Sequence, residues 1–166
     1  MKTGLPSQWA MVMLALALAL SACGEAPPQN TPSEPIPTVQ VLKDAPVMPI
    51  ALQEVVDTYV LGGNRTELQR EAMTAKLVGA NVSWRFKVYD VAKEDGRYRV
   101  MSELMNGTEP RAFGKFTVVA FVTPRDEQDV QALLNLQTGS EVEIRGRVDG
   151  VSVRTALVLS PAELLR

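Results

Sequence analysis

The 166 residues predict a mainly β domain with helices, a five-stranded Greek-key barrel in the order β-β-β-α-β-β preceded by two short helices. Three observations carry that prediction. Beyond residue 80 the apolar residues recur with period two, the mark of half-buried strands. Before residue 80, and again near residue 130, they recur with helical spacing. Turn residues separate the period-two stretches, as antiparallel β structure requires.

The first helix is expected to begin at Pro49, because a first helical residue needs no N–H. Leu52, Val55, Val56, Tyr59 and Val60 share its apolar face, and Gly62-Gly63 stops it. The second opens at "TELQ", where Thr66 and Gln69 have capping-box spacing, and stops at Gly79. Leu68, Ala72 and Ala75 are expected on its inner side.

In "NVSWRFKVYDV" (81–91) Val82, Trp84, Phe86 and Val88 alternate with Ser83, Arg85, Lys87 and Tyr89, giving a strand with one buried side. "EDG" (94–96) turns the chain. "RYRVMSEL" (97–104) then returns with Tyr98, Val100, Ser102 and Leu104 inward and Arg97, Arg99, Met101 and Glu103 outward. Asn106-Gly107 opens a longer loop, and "KFTVVAFV" (115–122) is the third strand. A helix follows, with Thr123 as cap, Pro124 as first residue, and Asp126 and Glu127 at the positive end of its dipole. Val130, Leu133 and Leu134 supply its buried side. "EVEIRGRV" (141–148) and "VSVRTALVLS" (151–160) are expected to form a hairpin across Asp149-Gly150, with Pro161 ending the last strand.

Three strands, a helix and two strands is the order of the OB-fold, in which the helix plugs one end of the barrel. An SH3-like barrel needs no such helix, and a parallel α/β sheet needs more crossovers. "LQTGSEVEIRGRV" (136–148), with Gly146 letting the strand bend, resembles the fourth-strand entry of bacterial OB-fold domains. "GANVSWRFKVYDV" (79–91) is similar to their first strand. The resemblance is to the tRNA-anti-like OB group, often found in exported proteins, and covers roughly residues 66–160. It implies a fold, and no site residues come with it.

The first residues, "MKTGLPSQ", carry Lys2 and no acid, and "WAMVMLALALAL" (9–20) follows. That is the pattern of a secretory signal. Twelve residues of helix make about 18 Å, short of the ~30 Å hydrocarbon core. The run ends in Leu20-Ser21-Ala22-Cys23, which resembles the bacterial lipobox. That resemblance implies diacylglycerol attached to the Cys23 thiol, cleavage before Cys23 and acylation of the new amine. Acyl chains in that number hold a protein firmly on a membrane. Gly24 rather than Asp after the cysteine implies sorting to the periplasmic face of an outer membrane. Residues 1–22 are therefore read as signal peptide and 23–48 as lipidated cysteine plus tether. Residues 49–166 form the OB-like domain with its N-terminal helices. Seven prolines among residues 24–49 leave no means of building a core there. Docking of "TVQVL" (38–42) on the domain as an extra strand is the alternative.

Composition narrows the function. There is no histidine and one cysteine, so triads, disulfides and histidine metal sites are excluded. No phosphate-binding glycine loop, dinucleotide fingerprint or EF-hand spacing occurs. No cofactor and no enzymatic activity are expected. Seventeen Lys+Arg against 19 Asp+Glu give a net charge of −2, which disfavours a chain built mainly to hold nucleic acid.

OB-folds that bind oligomers use the outer face of strands two and three and the adjoining loops. Here the candidate face is Arg85, Lys87, Tyr89, Arg97 and Arg99, with Arg111 and Phe113 on the loop beside it. Seven basic and five acidic residues lie between Arg85 and Lys115. Tyr89 and Phe121 are the candidates for base stacking, and a solvated wall of alternating charges is the competing reading. The expected function is that of a membrane-anchored envelope lipoprotein, non-enzymatic, offering its OB-like domain to a protein partner or envelope component. The alternative is an anionic oligomer, oligosaccharide or single-stranded nucleic acid, on the basic face of the first two strands.

Overall fold

The computed structural model describes residues 42, 44–152 and 155–166. The lipobox Leu20–Cys23, the signal and most of the tether lie outside the described residues. Among those described, no helix is long and apolar enough to cross a membrane.

Five strands close into a barrel: β1 (Asn81–Glu94), β2 (Arg97–Ser102), β3 (Thr117–Val122), β4 (Glu141–Ser152) and β5 (Ala156–Leu165). Their order around the barrel is β1-β2-β3-β5-β4, with β3 and β5 parallel and every other pair antiparallel. This is the predicted OB-like architecture. β1 serves two neighbours, its first half pairing with β4 and its second with β2. Between Val88 and Asp90 one extra residue, Tyr89, enters β1 as a bulge. Before it the even-numbered residues Val82, Trp84, Phe86 and Val88 fill the barrel. After it Asp90, Ala92 and Glu94 pair with the outward residues Met101, Arg99 and Arg97.

Three helices accompany the barrel: α1 (Leu52–Tyr59), α2 (Glu67–Leu77) and α3 (Glu127–Leu134). α1 begins at Leu52 after an extended Ala51, not at Pro49. Val55, Val56, Tyr59 and the following Val60 are buried as expected, whereas Leu52 is half-buried and Thr58, not expected there, is buried; Tyr59 stacks on Phe116 at 5.7 Å. Burying each such side chain contributes about 1.5–3 kcal/mol. α2 carries the predicted capping box, Thr66 accepting from the Gln69 N–H and Gln69 from the Thr66 N–H. Gly79, at φ +84°, follows its C-cap Val78. Its inner side differs from the one expected. Leu68 is 76% exposed, and Ala72 and Ala75 face solvent, while Met73, Thr74 and Leu77 turn inward. The Tyr59 hydroxyl shares a hydrogen bond with Thr74, and Arg70 Nε donates to the Thr58 carbonyl. Those polar contacts with α1, together with the apolar pair Met73 and Leu77, set the rotation of α2.

Further boundaries move for local reasons. Asp95 and Gly96, both at positive φ, form the tight β1–β2 turn that "EDG" predicts. Leu104 lies beyond the end of β2 and is 62% exposed instead of inward. α3 is capped by Asp126, whose side chain accepts from the Asp129 N–H, so it starts later than Thr123-Pro124 predicts. Leu134 is exposed, leaving Leu133 as its buried anchor. Asp149-Gly150 does not turn the chain: β4 runs through it to Ser152, which pairs with Ala156. Pro161 does not end β5 either. It sits, after a cis peptide bond, where β5 carries an extra residue against both neighbours. A residue with no N–H costs no ladder bond there.

A charged cluster ties α3 to the end of β5. Arg125 donates from Nε (2.8 Å) and Nη2 (3.1 Å) to the buried carboxylate of Asp129, and from Nη2 to the Leu164 carbonyl. Its Nη1 lies 3.6 Å from the buried Glu163 carboxylate. Arg166 adds contacts of 3.0 Å to both Asp126 and Asp129.

Candidate binding wall and loop rim

The outside of the barrel can be read directly from the strand register. Asp90, Met101, Val119 and Val158 are consecutive partners across β1, β2, β3 and β5, and Gly150 of β4 comes next. The adjacent row is Ala92, Arg99 and Phe121, and then Glu94 and Arg97. Val100, Val118, Ala120, Leu157 and Leu159, which alternate with these residues, are fully buried. The wall is therefore a half-buried apolar stripe of Met101, Val119, Phe121 and Val158 beside two arginines. Arg97 places its guanidinium 5.0 Å from the Phe121 ring centroid. Arg99 donates to Glu94 at 2.6 Å and to Asp90 at 3.5 Å.

The predicted face is distributed over three places. Arg97 and Arg99 are on this wall. Arg85, Lys87 and Tyr89 are exposed as expected, but on the half of β1 that borders β4. Arg99 is opposite Ala92, seven positions along β1 from Arg85, a rise of about 23 Å. Arg85 stands opposite Glu143 and donates to it at 2.9 Å, with Glu141 at 3.8 Å. The hydrogen bond and the carboxylates raise the Arg85 pKa, and the same bond lowers that of Glu143. Tyr89 is the bulged residue, and its carbonyl accepts from the Thr138 hydroxyl.

Arg111 and Phe113 belong to the long β2–β3 loop, which α1 holds in place. Asp57 accepts from the backbone N–H and the hydroxyl of Thr108, each at 2.7 Å. Gln53 donates to the Asn106 carbonyl, and the Asn64 N–H donates to Glu109. Burial alone would raise the Asp57 pKa, but the bonds from Thr108 and Gln53 and the field of Arg65 outweigh it and bring it below the usual carboxylate value. The Phe113 N–H donates to the Leu61 carbonyl at 2.7 Å, and its ring lies so close to Gly62 that a Cβ there would be 2.5 Å away. Phe113 nevertheless stays 63% exposed, with Leu61 at 42%. It does not close the barrel mouth.

Val119 and Val158 were not singled out from the sequence. The signal was present, since alternation in "KFTVVAFV" turns Val119 and Phe121 outward once Val118 and Ala120 are inward. Their row neighbours could not be read without the register. Among the described residues no group of three or more His, Cys, Asp or Glu could hold a metal ion.

No family model matches the chain, and no curated protein matches it. Several solved structures are similar to it at low identity. A candidate nucleic acid-binding lipoprotein from Klebsiella pneumoniae subsp. pneumoniae MGH 78578 shares 17% identity, over 78% of this chain and 99% of that one, with a TM-score of 0.44. The OBody AM3L09, solved bound to hen egg-white lysozyme, shares 14% over 58% and 91%, at 0.34. An aspartyl-tRNA synthetase from Entamoeba histolytica shares 14% over 71% and 24%, at 0.33. None of these similarities assigns a function to this chain.

Proposed function

We propose that this chain is a lipid-anchored, non-enzymatic binding protein of a bacterial envelope, and that its β1–β2–β3–β5 wall docks a protein partner. The observation that carries the reading is the charge balance of the wall. Arg99 is shared between Asp90 and Glu94, and what remains is apolar surface with an arginine laid on an aromatic ring. Protein interfaces are enriched in aromatic residues, Met and Arg and lose charge at their centre. A nucleic-acid groove calls instead for a stripe of cations free to meet phosphates. The lipobox supports the anchor, Gly24 the outer-membrane address, and the prolines a spacer between bilayer and domain.

Photocrosslinkers at Arg99 and Val119, with Gln128 on α3 as control, test the docking face in intact cells. One protein captured from the wall and not from α3 supports it, and equal capture at all three sites removes it. Cys23→Ala is expected to leave an uncleaved, mislocalised precursor; lipidation at another residue would overturn the anchor.

A second reading, an anionic oligomer on the same wall, is favoured by the Arg97–Phe121 pair, because bases stack on such platforms. It predicts salt-sensitive binding of a fluorescein-labelled oligothymidylate or sulfated oligosaccharide, lost when Arg97 and Arg99 are both changed to glutamate.

A further inference from the structure

A separate surface opens where β1 parts from β2. The Val88 N–H donates to the Ser140 carbonyl and the Val148 N–H to the Ala80 carbonyl, so the even-numbered residues of this half of β1 bond to the β4 side. The odd-numbered residues therefore point their N–H and C=O groups to the opposite edge. That edge is covered at both ends. The Asn81 carbonyl accepts from the Met48 N–H, and the Lys87 carbonyl accepts from the Glu103 N–H, each at 2.8 Å. Between them, the N–H and C=O of Arg85 and the N–H of Lys87 have no partner among the described residues.

The reason is the path of the chain after β2. Past Glu103 it leaves β1, and Met105 pairs with Phe116. A cleft of about 310 Å³ opens in the wedge, with Arg85, Phe86 and Lys87 on one side and Leu52, Leu104 and Met105 on the other. Leu104 is 62% exposed there. Lys87 has no carboxylate partner among the described residues, and Glu103 lines the same cleft.

We infer that this cleft takes a short extended segment of a protein partner by strand addition to the open edge of β1. The segment's backbone pairs with Arg85 and Lys87. An apolar side chain rests on Leu52, Leu104 and Met105, and one carboxylate meets Lys87. Glu103 disfavours a run of acids, so the fitting sequence alternates apolar and polar with a single acid. Main-chain bonds give such a site its affinity and the side-chain wall its selectivity. The inference shares with the proposed docking wall only the class of partner, a protein.

The test is a random-heptapeptide display selection against the full-length chain, followed by amide hydrogen exchange of the chain with an enriched peptide. In the free protein, Arg85 and Lys87 amides are expected to exchange at least tenfold faster than those of Trp84 and Phe86. The peptide should slow them at least tenfold. Lys87→Glu and Leu104→Asp, both at exposed positions, should each weaken peptide binding at least fivefold, while Phe121→Ser on the wall leaves it unchanged. Three results would overturn the inference. The selection enriches nothing, enriched peptides leave both amides unprotected, or both are already protected in the free protein through pairing with a second copy.

Discussion

The Asp57 carboxylate holds both the backbone N–H and the hydroxyl of Thr108, a residue 51 positions away, at 2.7 Å each. This pair fixes the long β2–β3 loop to α1 with no element of regular structure in between. Asp57→Ala is expected to cost about 1–2 kcal/mol, since hydrogen bonds to a charged group contribute more than neutral ones. Urea unfolding measures the loss, and faster exchange of the Thr108 amide locates it in the loop. Unchanged Thr108 exchange would mean that the loop is held by other contacts.

Acid should destabilise the domain in a predictable window. Asp129 is held below its ordinary value of 3.8, chiefly by the hydrogen bond from Arg125, and Asp126 by the Asp129 N–H and Arg166. Asp57 and Glu143 are lowered as well. A carboxylate with a depressed folded pKa adds stability that is complete above its unfolded pKa and is lost as pH falls through the folded one. Stability is therefore expected to be flat from pH 7 to about 5 and to fall below about 4. Asp129→Asn should lower stability at pH 7 and flatten the acid slope; an identical slope in the variant would remove Asp129 from the effect.

Two β4 glycines should answer oppositely to alanine. A Cβ on Gly146 would meet Ala162 Cβ at 3.0 Å, and Leu159 Cβ and the Pro161 carbonyl oxygen at 3.1 Å, all inside the closed barrel. Gly146→Ala should cost about 1–3 kcal/mol through overpacking. A Cβ on Gly150 meets nothing within 4 Å, so Gly150→Ala should stay within about 0.5 kcal/mol of the parent. Thermal unfolding of the two variants side by side decides it.

Arg97 and Phe121 should be energetically coupled. A double-mutant cycle with Arg97→Ala and Phe121→Leu is expected to give about 0.5–1 kcal/mol in chemical unfolding, the range for a cation over a ring at a partly exposed site. Additive losses would show that the guanidinium is merely near the ring, leaving Arg97 free to serve a ligand.

Much of the barrel was legible because its strands alternate cleanly. Val82, Trp84, Phe86 and Val88 needed only a period of two, and Thr66-Gln69 only a spacing of three. The misreadings arose where tertiary contacts overrule local signals. Asp149-Gly150 has ideal turn residues, yet the pairing of β4 with β5 continues past it to Ser152. Leu68 and Ala72 suggest an inner face, but Arg70 and Thr74 bond to α1 and turn that face outward. The basic face looked continuous because Arg85 and Arg99 are close in sequence. Strand pairing sends one to β4 and the other to β3, and gives each its own carboxylates.

The bulge at Tyr89 makes β1 a strand with two phases. Its first half hides even-numbered residues, and in its second half the odd-numbered Val91 and Lys93 stand opposite the buried Val100 and Tyr98, so one added residue changes the frame along a single strand. Tyr89 can accordingly be replaced by many side chains, because its own points to solvent. Deleting it would leave Val88 and Asp90 adjacent, opposite the consecutive residues Ser102 and Met101, so both halves would keep their facings and only the bend of the bulge would be lost. The extra residue thus sets the curvature of β1 where it passes from one neighbour to the other, and not which of its side chains face the core.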